Sequence, residues 1–459
     1  MKHPSAPAQP APRWTRPSGR DSRDTLWLTV SHGWWLFLLS ASVLRADFQG
    51  SSHLIGIDDP PVSYAKTQAV DPIARLQRKI DAGEVTLRKD PKYGYYPSLL
   101  EFLNIPVSSQ VLVFSKTSFQ RDRISASSPR AVYFNDDVYV GFVKGSEIME
   151  VSSVDPQLGG VFYTLDQSLP KPKFVRNDQC LECHQSAKTM GSPGHLVRSF
   201  VTEESGQPDL NTGVSQVNHR TPFQERWGGW YVSGQHGKQI HRGNLLGAKE
   251  VLRNEKEPNF RANLDSLRNL FDTSAYLLDT SDVVALMILE HQSHMHNFLT
   301  RLNHSARIAL SQYGHVRYLK SPVEAFLRYL FFVEEAPLTD RVSGSPEYAR
   351  AFQARGPKDS KGRSLRELDL RTRLFKYPCS YLIYSGAFTQ LPAPLKDQIY
   401  ARMLDVLTGA HPAPEYAARL APETRQAILE ILVETQQDLP AAWRAEVEKG
   451  SKLKASYAR

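Results

Sequence analysis

Between residues 70 and 83 the apolar positions recur at helical spacing. Ile73, Leu76 and Ile80 share a face, Asp71 can cap, Pro72 suits the first turn and Gly83 can end the segment. Ser98 to Glu101 reads as a capping box that opens a second short helix through Leu103. From residue 108 to 166 the period shortens. Residues 111–114, 131–134 and 138–143 are strand-like, and Asn135-Asp136-Asp137 between the last two predicts a hairpin. Shorter strands are expected at 150–151, 161–163, 196–202 and 230–233. Beyond about residue 265 the helical period returns. The longest helix starts near Ser281 and runs to Tyr313, with Gly314 placed to stop it. Its stripe is Val284, Ile288, His291, Met295, Phe298 and Leu302. Further helices are expected at 321–335, 344–355, 364–375, 395–408 and 422–434, with a polar loop at 356–362. No internal repeat is visible. The pattern predicts an α+β fold, with a β-containing region over 47–265 and a mainly helical region over 266–459.

The N-terminus has a different pattern. A basic, Pro-rich stretch precedes Trp34-Trp35-Leu36-Phe37-Leu38-Leu39. Residues 1–46 therefore read as a signal peptide cleaved after Ala46. The competing reading is an uncleaved membrane anchor over 26–44, weakened by Thr29, Ser31, His32, Ser40 and Ser42. Both place the bulk of the chain outside the cytoplasm, in the periplasm or beyond.

Charge adds little. The 459 residues carry a formal net charge of +8, and residues 1–46 hold six basic side chains against Asp21 and Asp24. Half of the excess thus lies in that segment, which gives no case for nucleic-acid binding. A mildly basic remainder suits docking to an acidic redox partner protein.

The chemistry is concentrated in Cys180-Leu181-Glu182-Cys183-His184. This is the C-x-x-C-H spacing of covalent haem attachment. Two thioether bonds would hold the porphyrin, and the adjoining imidazole would fall beneath the iron as proximal ligand. The chain has only 3 cysteines, so a chance match is rare. A structural zinc site would need a second ligand pair, and no second C-x-x-C exists. A thioredoxin-like dithiol expects a βαβ setting, whereas here Pro170-Lys171-Pro172-Lys173 leads in and Met190-Gly191-Ser192-Pro193-Gly194 follows. Cys379 lies in an apolar run and reads as a buried, inert thiol.

The distal ligand is open from sequence. Met190 is barely far enough along the chain to pass around a porphyrin edge. His195 has more chain, and His236 and His241 stand in a glycine-rich loop. On the long helix, His291 and Met295 are one turn apart in the apolar stripe, and both types ligate haem iron. His291 is the first choice, against the plainer reading of a hydrogen-bonded core histidine. Glu290 and His294 mimic part of a metal-site spacing but fit a polar edge better. Arg198, Arg226 and Arg242 are candidates for pairing with haem propionates. Trp227-Gly228-Gly229-Trp230-Tyr231 could pack on a haem edge or anchor the core.

The attachment residues resemble those of c-type cytochromes, a match confined to Cys180, Cys183 and His184. Residues 103–110, 133–141 and 180–184 together resemble an uncharacterised family of exported, single-haem bacterial proteins, over most of the chain after about residue 90. That resemblance implies haem attachment and export, and no particular activity. The expectation is a protein with one covalent haem c near the junction of its two regions, carrying single electrons outside the cytoplasm. The alternatives are a peroxidase-like haem enzyme and a haem-based binding or sensing module. A membrane association follows only if residues 26–44 stay attached.

Overall fold

The computed structural model describes residues 53–410 and 414–457; the expected signal peptide or anchor lies outside them. The architecture is α+β, with sheet in the first half and helices in the second.

A helix opens the described chain. In α1 (Pro72–Asp81) the Asp71 carboxylate accepts from the Ile73 and Ala74 amides, as a capping aspartate should. The next helix, α2 (Tyr96–Phe102), starts before the expected capping box. Pro97 sits in its first turn, so Ser98 is internal, and its Oγ accepts from the Arg88 amide at 3.0 Å instead.

Nine strands follow: β1 (Val111–Val113), β2 (Arg130–Phe134), β3 (Val138–Phe142), β4 (Ile148–Asp155), β5 (Gly159–Asp166), β6 (Phe174–Arg176), β7 (Arg198–Thr202), β8 (Pro208–Gln216) and β9 (Trp230–Tyr231). Seven form one antiparallel sheet in the order β6-β5-β4-β3-β2-β1-β9, while β7 and β8 pair separately with a bulge at Phe200/Val201. The Asn135 side chain closes the β2–β3 hairpin by accepting from the Asp137 and Val138 amides. Alternation divides the large sheet. Ala131, Tyr133, Val140, Met149, Val151, Val161 and Tyr163 enter a core with α1 and α2. Phe134, Tyr139 and Val154 enter a second core with the helices.

Twelve helices are described: α3 (Leu181–His184), α4 (Gly247–Lys256), α5 (Val283–Tyr313), α6 (Lys320–Leu330), α7 (Pro346–Ala354), α8 (Gly386–Thr389), α9 (Ala393–Thr408), α10 (Pro414–Ala417), α11 (Pro422–Thr435) and α12 (Ala441–Tyr457) complete the set begun by α1 and α2. The core that receives Phe134 also holds Ile431 and Trp443, so apolar packing is continuous across residue 265. Residues 364–375 are not helical. Asp369 accepts from the Arg371 and Thr372 amides, Leu370 has φ 58°, and Leu368 bridges Phe375. That turn competes successfully with a helix. No helix of the described residues is long and apolar enough to cross a membrane.

The central helix is α5. Asp282 caps it and Gly314, at φ 71°, ends it. The expected apolar stripe is buried, but so is every residue from Val283 to Thr300. A helix covered on all sides must find partners for each polar side chain in the interior. Glu290 pairs with Arg226 and accepts from Trp227 Nε1 at 3.0 Å. Gln292 donates to Tyr139 Oη at 2.9 Å and accepts from Tyr381 Oη at 2.8 Å. Burial keeps the helix's histidines neutral: His294 is lowered to about 3, and His296 and His304 to about 4.

These histidines protonate in the unfolded chain near its ordinary value, well before they do so in the native state. Stability is therefore full above about pH 6.5 and falls as the pH drops toward 4, by on the order of 1 kcal/mol per pH unit for each such histidine. Urea unfolding at pH 7.5 and pH 5.0 checks this, with a clearly lower midpoint expected at pH 5.0.

Candidate functional site

The segment that carries the motif is short and irregular. After β6, the Asn177 side chain accepts from the Gln179 amide and starts a single turn over Asp178–Cys180, which leads directly into α3. Winding of this segment places Cys180, Cys183 and His184 close together at the protein's edge. Cys180 is half-buried, Cys183 is exposed, and both are free thiols. Burial and the nearby Glu150 carboxylate push the Cys180 thiol up to about 11. A nucleophilic thiolate role, which needs a lowered value, is not what this environment favours.

His184 is held by its backbone-facing nitrogen. Nδ1 donates to the Gly194 carbonyl at 2.8 Å. Nε2 makes no hydrogen bond to any of the described residues. Burial lowers the imidazole to about 4, so the ring is neutral at pH 7. The Phe162 ring packs against it with centroids 4.6 Å apart. A neutral histidine with Nδ1–H fixed to a carbonyl and Nε2 free is the arrangement that orients a metal-ligating imidazole.

The carbonyl acceptor is itself fixed by α5. Asn297 clamps the neighbouring residue, accepting from the His195 amide at 2.9 Å and donating to the His195 carbonyl at 2.8 Å. Close approach makes this possible. A Cβ at Gly194 would collide with Asn297 Oδ1, and one at Gly159 (φ 82°) with Thr300 and the Pro193 carbonyl. The orientation of His184 is thus set from the core helix through Asn297, His195 and Gly194.

Of the distal candidates, His195 alone makes a ring contact with His184, at 6.5 Å between centroids. Its Nε2 bonds Ser152 Oγ at 3.1 Å, and its buried Nδ1 has no partner among the described residues. His195 adjoins the Gly194 carbonyl, which His184 faces with Nδ1. The free Nε2 points to the other side of the ring. His291, the first choice from sequence, sits in a different cluster. Its Nδ1 shares a 2.8 Å hydrogen bond with His219 Nδ1, and its Nε2 meets Ser380 Oγ at 2.8 Å. The rings of Tyr329 and Phe332 stack on it. In this arrangement His291 behaves as a hydrogen-bonded core histidine, with both ring nitrogens engaged. His236 and His241 bond each other through Nε2 at 3.2 Å, while His236 Nδ1 meets the Gln239 carbonyl at 2.6 Å. Met190 and Met295 are both buried, Met295 completely.

The remaining candidates separate cleanly. Arg226 is committed to Glu290. Among the described residues no cluster of three or more His, Cys, Asp or Glu side chains is placed to hold a metal ion. Trp227 and Trp230 are core anchors; Trp230 Nε1 donates to the Arg198 carbonyl at 2.8 Å. Cys379 is fully buried and its thiol is pushed far up by burial, as an inert thiol should be. His219 and Asn297 escaped sequence reasoning, since neither belongs to a recognisable spacing. No protein-family model matches the chain, and no curated protein or solved structure matches it.

Replacing Asn297 with Ala removes two buried hydrogen bonds to His195 and is expected to cost about 1–3 kcal/mol. Amide hydrogen exchange at His195 should accelerate while the amides of β4 stay protected. Unchanged exchange at His195 would show that the segment is held by other contacts.

Proposed function

We propose that this chain is a c-type haem protein, with haem joined to Cys180 and Cys183, His184 beneath the iron, and one-electron transfer as its role. The observation that carries this reading is the state of His184. Its Nδ1–H is committed to the Gly194 carbonyl and its Nε2 is left over, within a C-x-x-C-H motif whose two thiols are free. When bound, the haem supplies a metal that alternates between two oxidation states. The residues supply the rest. Cys180 and Cys183 fix the group, the Gly194 carbonyl raises the basicity of His184, and Phe162 shields one side of the imidazole. The exposure of Cys183 favours exchange with a partner protein at the surface, because an edge attached there lies near solvent. Export, expected from residues 1–46, is consistent with this chemistry, since such haem attachment in bacteria takes place on the exported side.

A second reading has specific support. The hydrogen bonds of His291, His236 and His241 occupy nitrogens that a distal ligand would need. Such a commitment favours an exchangeable iron position, as a peroxidase-like enzyme or a gas-binding module requires. Carbon monoxide discriminates: a reduced spectrum that ignores it supports the carrier, and one that shifts supports the second reading.

The attachment itself is tested by a haem stain on a denaturing gel, after expression in a host that matures c-type haem proteins. Wild type should stain. Cys180→Ala/Cys183→Ala should lose the stain entirely. Staining that survives the double substitution would refute attachment through these sulfurs.

A further inference from the structure

The arginines around the motif differ in one respect. Arg130 on β2 pairs with Glu150 at 2.9 Å, and Arg176 on β6 pairs with Asp178 at 2.9 Å. Arg198, the first residue of β7, has no carboxylate and no side-chain hydrogen bond among the described residues. Its guanidinium lies 5.2 Å from the centroid of the Phe200 ring. The side chain is half-buried, and this desolvation disfavours its charge.

Its backbone is held on both sides. The Arg198 carbonyl accepts from Trp230 Nε1, and the residue pairs with Gln216 on β8. The residue follows by four positions Gly194, whose carbonyl holds His184 Nδ1, so its strand starts beside the motif. A partly desolvated cation with no counter-charge is unfavourable unless an anion completes the site. Arg226 and Arg242, the other two candidates from sequence, are placed differently. Arg226 is neutralised by Glu290, and Arg242 follows the His236–His241 pair, with its amide bonded to the Arg226 carbonyl.

We propose that Arg198 binds a propionate carboxylate of the haem held at Cys180 and Cys183, and is the missing counter-charge's partner at this site. The inference rests on the haem reading above. A planar guanidinium fork matches a carboxylate in two parallel hydrogen bonds, which a lysine ammonium cannot reproduce. Arg198 would then be a positioning residue. It would neutralise one propionate and raise the potential of the iron by partly cancelling a nearby negative charge.

The test uses the holoprotein and three variants: Arg198→Gln, Arg198→Lys, and Lys173→Gln as an exposed control. Midpoint potentials are measured together with oxidised-minus-reduced infrared spectra of protein carrying haem labelled with ¹³C in its propionates. Arg198→Gln should lower the potential and shift the labelled carboxylate bands. Arg198→Lys should recover much of the potential but not the bands, since charge returns without the fork. Lys173→Gln should change neither. A potential that falls in Arg198→Gln with unmoved carboxylate bands would reduce Arg198 to a distant charge and overturn the proposal. Unchanged potential and bands would overturn it as well. Wild-type protein that carries no covalent haem would instead remove the haem reading, and this proposal with it.

Discussion

Everything in this fold is arranged around a helix that has no solvent-facing side over its first five turns. α5 runs through the middle of the protein with Glu290, His291, Gln292, His294, His296 and Asn297 all buried. Each of those groups costs several kcal/mol if left without a partner in the interior. The surrounding elements supply the partners: Arg226 and Trp227 for Glu290, Ser380 and His219 for His291, Tyr139 and Tyr381 for Gln292. The requirement fixes where the sheet, the 219–227 segment and the 380–384 turn can sit. A purely apolar helix would accept many packings, whereas this one accepts few.

The motif depends on the same helix at one remove. Asn297 grips the backbone of His195 on both sides, the adjoining Gly194 carbonyl receives the His184 proton, and glycines at 159 and 194 let the segments approach closely enough. The His184 imidazole is therefore oriented by the rigid interior and not by its own short turn. Of the two thiols, Cys183 is exposed and Cys180 half-buried. A site fixed from within and exposed at Cys183 fits the covalent attachment proposed above.

Much of this was legible in the sequence, and the parts that were not share a cause. Local signals worked where chemistry was local: Asp71 before Pro72, Asn135 in its turn, and Asp282 and Gly314 at the ends of α5. The stripe containing His291 was a correct helical face, yet a face is uninformative on a helix buried all round. Whether His291 meets iron or Ser380 is decided by residues 89 positions away, which no spacing reveals. The Ser98 capping box and the helix expected at 364–375 failed for a related reason. Pro97 and the Asp369 turn offered the backbone a better local alternative. Asn297 and Arg198 acquire their meaning only from what the fold places, or leaves unplaced, beside them.

The central claim is covalent attachment of one haem through two sulfurs with His184 beneath it. The most direct measurement is the intact mass of protein purified under denaturing conditions from a host competent in that attachment, read with its reduced absorption spectrum. The account predicts a mass greater than the polypeptide by one haem, and the sharp visible bands of a low-spin ferrous c-type haem or, with an exchangeable position, bands that move on adding carbon monoxide. A colourless protein with the bare polypeptide mass would contradict it.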